Sequence, residues 1–159
     1  MKIKTIIDNI KSKNKNKRLL SINTLLQAKI NLETTIKETI ADLIEKIQKR
    51  GSVAKTKVDL EKKEEQLIYY KLAQQEANLQ KHPDGKSNFY YIYKKSNLEK
   101  KRSALEDSKK KRLSKVTQQS IDKDIVAIEK QIELISTKLT TFNTSHKIQI
   151  ELVPELNLL

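Results

Sequence analysis

Two glycines and two prolines are all that this chain of 159 residues offers for turning its backbone. A many-stranded sandwich or barrel needs a turn signal roughly every ten residues, so the chain must run in few, long elements. Only 36% of residues are apolar and 33% are charged. That balance suits amphipathic helices with one buried stripe each better than a thick globular interior. The expected fold is mainly α: long antiparallel helical hairpins forming a coiled-coil or four-helix-type bundle, in a single domain spanning residues 1–159.

Apolar periodicity locates the helices. From Leu19 to Ile47 the apolar residues recur at helical spacing, with Ile36, Ile40, Leu43 and Ile47 stepping 4, 3, 4. Lys49, Arg50 and Gly51 close the run, the glycine being the expected left-handed cap. Val53, Leu60 and Leu67 then repeat at sevens through a second helix reaching about Lys81. A short break between two long helices predicts an antiparallel hairpin. The cleanest seam comes later: Ile121, Ile125, Ile128, Ile132, Ile135 and Leu139 alternate steps of four and three. These six residues are the candidate helix-docking seam. Leu19, Leu20, Ile22, Leu25, Leu26, Ile30 and Leu32 cover more circumference than one neighbouring helix can bury, which predicts a further helix or a second copy of the chain.

Two segments read as extended. His82-Pro83-Asp84-Gly85 is a turn, with Pro at the second position of a type I turn and Gly at its exit. After it Phe89-Tyr90-Tyr91-Ile92-Tyr93 has the aromatic, β-branched content of a strand, and Ser96-Asn97-Leu98-Glu99 matches a capping box that would start the third helix. Residues 82–96 are therefore expected to be a turn plus an extended aromatic segment between two helical halves. Near the C-terminus Ile148, Ile150 and Leu152 alternate with Gln149 and Glu151, as a half-buried strand would. Two readings follow: a minor β element pairing residues 88–94 with 147–153, or an extended tail packed along the bundle.

Charge is concentrated rather than spread. Residues 1–18 hold seven Lys or Arg against one Asp, and residues 82–117 hold eleven against four, so these two blocks carry the whole net charge of +13. An acidic protein partner or larger assembly is the expected counterpart, with nucleic acid as the alternative. In the first block Ile3, Ile6, Ile7 and Ile10 share a helical stripe beside Lys2, Lys4 and Lys11, a pattern that fits a flexible basic arm, a docking helix or an interfacial helix. The second block is the candidate polyanion surface: Lys94 and Lys95; Lys100, Lys101 and Arg102; Lys109, Lys110, Lys111 and Arg112; and Lys115. Clusters recurring at seven to eight residues would lay a positive stripe along one helix side. Phe89, Tyr90, Tyr91 and Tyr93 beside it are candidates for stacking on unpaired bases. Only four of the 33 basic residues are Arg, which weakens base readout but not backbone tracking.

No constellation in the sequence points to catalysis. His82 and His146 are the only imidazoles, there is no Cys, and no carboxylate cluster has metal-ligand spacing. Gly85-Lys86-Ser87 imitates the end of a phosphate-binding loop, but position 80 is Gln and no strand precedes it. Asp122 and Asp124 lack the glycine and remaining ligands of a calcium loop. His82 reads as a turn residue. No catalytic, cofactor or metal site is expected, no stretch has the apolar length of a membrane span, and the absence of a secretory signal predicts an intracellular, cytoplasmic protein. The chain reads as a non-catalytic helical adaptor docking partners through its seams and basic surface, or else as a nucleic-acid-binding accessory protein.

Overall fold

A computed structural model describes residues 16–156; the expectations placed on residues 1–15 lie outside them. The order is β1 (Lys17–Ser21), α1 (Ile22–Gln48), α2 (Ala54–Leu79), α3 (Asn88–Ser108), α4 (Lys115–Ser145) and β2 (Lys147–Glu151). The fold is mainly helical with one two-stranded antiparallel ribbon. The described chain divides into two compact units, residues 16–77 with 144–156, and residues 78–143.

In the first unit α1 and α2 form an antiparallel hairpin. Lys29, Thr39 and Lys46 on α1 bond in turn to Gln74, Lys63 and Thr56 on α2. The expected break at Gly51 is present, but its left-handed residue is Arg50, with φ 55. The hydrogen bonds explain the shift: Gly51 N–H reaches the Lys46 carbonyl at 2.8 Å and Arg50 N–H that of Ile47 at 3.1 Å, the paired bonds of a Schellman ending whose left-handed position is one residue earlier.

The ribbon corrects the sequence reading. β2 does alternate, Ile148 and Ile150 being buried while Lys147, Gln149 and Glu151 face out, but its partner is β1, in the register Arg18 opposite Ile150 and Leu20 opposite Ile148. Leu19 and Leu20, expected in the first helix, belong to β1 because Ser21 caps α1: its Oγ accepts from Thr24 N–H at 3.1 Å. The segment expected to pair with β2 is instead the first two turns of α3. Ser87 Oγ accepts from Tyr90 N–H at 3.1 Å, so the helix starts eight residues before the Ser96 capping box. Burial of Tyr91 and Leu98 seven residues apart on one side then outweighs the strand preference of the aromatic run.

A ribbon of two strands is marginal alone; here Gln66 holds it to α2. Gln66 Nε2 donates to the Glu151 carbonyl at 2.8 Å and its Oε1 accepts from Val153 N–H at 2.5 Å, as a further strand would. Gln66 is 1% exposed and Val153 is buried, so the Val153 N–H has no water as a substitute. Beside it Tyr70 is fully buried, and burial raises the pKa of its hydroxyl above the usual tyrosine value. Gln66→Ala is expected to lower stability by about 2 kcal/mol, because it strands the buried Val153 N–H and removes the bond to the Glu151 carbonyl; chemical denaturation checks this, and unchanged stability would mean that the bridge holds nothing.

Candidate interaction surface on the second hairpin

The second unit is a hairpin of α3 and α4. Asn88, Tyr91 and Lys109 meet Asn143, Lys138 and Asp122 in turn, at 3.1, 2.7 and 2.6 Å, so the helices run antiparallel. Their shared core is Tyr91, Leu98, Ile132, Ile135 and Leu139, with Ile128 packed at its edge. Ile125 is also buried and Ile121 half-buried. The isoleucine seam is thus occupied within its own chain.

The turn before α3 closes one end. Gly85 N–H reaches the His82 carbonyl at 2.9 Å, His82 N–H the Lys86 carbonyl at 2.8 Å, and Gly85 takes φ 82, where a side chain would be strained. His82, read from sequence as a plain turn residue, is 4% exposed. Its ring stacks on Phe142 at 4.0 Å and lies tilted to Tyr91 at 4.7 Å, while Nε2 meets Asn88 Oδ1 at 2.9 Å. Asp84 accepts from Lys138 Nζ at 2.8 Å, from the Tyr91 hydroxyl and from Lys86 N–H at 3.0 Å. The Lys138 hydrogen bond first, then that of Tyr91, holds the Asp84 carboxyl well below the usual carboxylate range, and the same contact raises Lys138. One signal for this clasp was present: Phe142 extends the seam by three residues past Leu139.

The candidate cations follow α3 and then leave it. At about 100° per residue, Lys94 and Lys101 share one direction and Lys95 and Arg102 another, while Lys100 faces elsewhere. Lys95 and Arg102 are half-buried; Lys94, Lys100 and Lys101 are exposed. The helix ends at Ser108, so Lys109, Lys110, Lys111 and Arg112 do not extend a helical stripe. They crowd the turn at the hairpin tip, where Ser114 Oγ caps α4 by accepting from Thr117 N–H at 3.2 Å and Lys115 opens it. α3 and α4 are thus two helices folded back at this turn. Lys109 is paired with Asp122 at 2.6 Å and Lys110 lies 3.6 Å from Asp107. Lys100, Lys101, Arg102, Lys111, Arg112 and Lys115 have no ion pair among the described residues. Alanines 104 and 127 leave a shallow groove of about 420 Å³ beside them, lined also by Lys101, Leu105, Asp124 and Ile128.

The four candidate stacking residues separate. Tyr91 is buried in the seam; Phe89 and Tyr93 are 52% and 58% exposed, with ring centroids 6.1 Å apart. Tyr90 lies beneath Lys86 and Lys94, at 4.7 and 5.8 Å. Among the described residues no three His, Asp or Glu side chains gather as a metal site, and no helix is long and apolar enough to cross a membrane. In comparison with known proteins the chain matches no family model, no curated protein and no solved structure.

The clasp has a pH signature. A carboxyl whose pKa is depressed by folding contributes stability above its unfolded value, about 3.9, and loses it as pH falls through the lower folded value. Asp84→Asn is expected to flatten the acid limb of the stability curve below about pH 4; an unchanged limb in acid titrations of the unfolding midpoint would mean that the Lys138 contact is not formed in solution.

Proposed function

We propose that the chain is a non-catalytic helical adaptor that takes an acidic protein partner on the tip of the α3–α4 hairpin. The observation that carries this reading is the crowding of Lys109, Lys110, Lys111, Arg112 and Lys115 at the hairpin tip, with Lys100, Lys101 and Arg102 about two turns back along α3. Of these, Lys109 and Lys110 alone are in ion pairs among the described residues. Like charges held this close repel one another and favour any ligand that neutralises them. The apolar seam cannot serve the same purpose because α3 already covers it. The groove at Ala104 and Ala127 supports a protein partner, since it gives an apolar side chain of an acidic segment somewhere to seat.

A second reading, nucleic acid, is favoured by one observation, the exposed Phe89 and Tyr93 rings on the first turns of α3. It requires phosphates on the tip cations and unpaired bases on those rings.

Both readings meet the same experiment, a fluorescence-anisotropy salt titration with labelled poly-glutamate, single-stranded DNA and duplex DNA. Replacing Lys109, Lys110, Lys111 and Arg112 by Ala should weaken poly-glutamate binding by about tenfold or more and reduce its salt dependence. Tighter binding of single strands than of poly-glutamate, lost on Tyr93→Ala, would decide for the second reading. No binding to any probe at about 50 mM salt, where such contacts are strong, would dispose of both.

A further inference from the structure

Toward the Gly51 end of the first hairpin, α1 turns its polar residues to α2 and its apolar ones outward. The facing positions are polar: Lys63 Nζ donates to Thr39 Oγ1 and Lys46 Nζ to Thr56 Oγ1, each at 2.8 Å. A cavity of about 490 Å³ lined by Thr35, Glu38, Asp42, Lys55 and Asp59 lies along them. Ile40, Ile44 and Ile47 are meanwhile 39%, 50% and 55% exposed, and at about 100° per residue they lie within roughly 60° of one another. They prolong the line of Ile36, which is buried; Ile36, Ile40, Leu43 and Ile47 step 4, 3, 4, the spacing that seats one helix on another.

We infer that this face is the contact between two copies of the chain, each laying Ile40, Leu43, Ile44 and Ile47 against the same residues of the other. Charge commits the occupant. Residues 37–49 carry Lys37, Lys46 and Lys49 against Glu38, Asp42 and Glu45, and two of these pairs close within the helix, Lys46 with Asp42 at 3.0 Å and Lys49 with Glu45 at 2.6 Å. A neutral face gives a charged partner nothing to select. For two chains of net charge +13, it is a place where they meet without the repulsion that opposes contact through their basic surfaces. An antiparallel two-fold alignment sets Ile40 opposite Leu43, a pair that occurs twice by symmetry. It puts Lys37 beside Ile44 and Thr39 beside Lys46, with no like charges flanking the apolar layers.

Sedimentation velocity on the full chain, from about 5 µM to about 0.2 mM, tests this, because a pair of micromolar affinity crosses from monomer to dimer in that range. Dimer is expected at the upper end. Ile44→Glu should weaken association by about tenfold or more, Ile47→Glu serves where the first variant loses its helical circular dichroism, and Leu134→Glu, at a 72% exposed position of α4, should leave association intact. Monomer throughout the range overturns the inference, as does dimer that persists in both isoleucine variants, or equal weakening by Leu134→Glu.

Discussion

The packing of Ile132, Ile135 and Leu139 of α4 against Tyr91 and Leu98 of α3 decides what the rest of the second unit can do. A chain with so few apolar residues has about one good stripe per helix, and burying a branched aliphatic side chain contributes about 2 kcal/mol. Spending that stripe within the hairpin leaves no long apolar seam for a partner. It also sets where the cations go. The helices can stay in contact only if the chain reverses after Ser108, and that reversal places Lys109, Lys110, Lys111 and Arg112 at the tip rather than along a helix side. The His82 and Asp84 clasp holds the opposite end, where buried Asn88 finds partners in half-buried Asn143 and in the His82 ring.

In the first unit the corresponding constraint is closure. β1 and β2 join residues separated by nearly the whole described chain, so the ribbon must offset a large loop entropy with only five residues in each strand. Two features make up the difference. Ile148 and Ile150 are buried on one face, and Gln66 supplies the backbone of β2 and the residues beyond it with the donor and acceptor that a third strand would have offered. A glutamine at that position is a polar residue doing the work of a strand edge, which binary patterning reads as solvent-facing.

The elements legible in the sequence are those encoded locally. The Ile121–Leu139 seam, the break at Gly51, the Pro83–Gly85 turn and the alternation of Ile148 and Ile150 each rest on spacings within a few residues, and each is in the structure. What was not legible depends on distant partners. Nothing near Lys17–Ser21 announces a strand, since Leu19 and Leu20 also fit the helical period of Ile22 and Leu25. The aromatic run 89–93 has strand propensity, and only the burial of Tyr91 against α4 makes it helical. His82 reads as a turn residue ahead of Pro83 and Gly85; it is buried because Phe142, sixty residues on in sequence, stacks against it. In the candidate surface, the identity of the cations was readable and their arrangement was not, because the end of α3 at Ser108 carries no glycine or proline to mark it.

The isoleucine seam is internal, and we propose that the tip is the contact surface. Hydrogen exchange followed along the whole chain, with and without poly-glutamate, tests it most directly. The account predicts that amides of α4 around Ile132 to Leu139 are strongly protected in the free protein and unchanged on binding, while protection rises between Lys109 and Lys115. Rapid exchange of the seam in the free protein, with protection appearing there only when ligand is added, would contradict it.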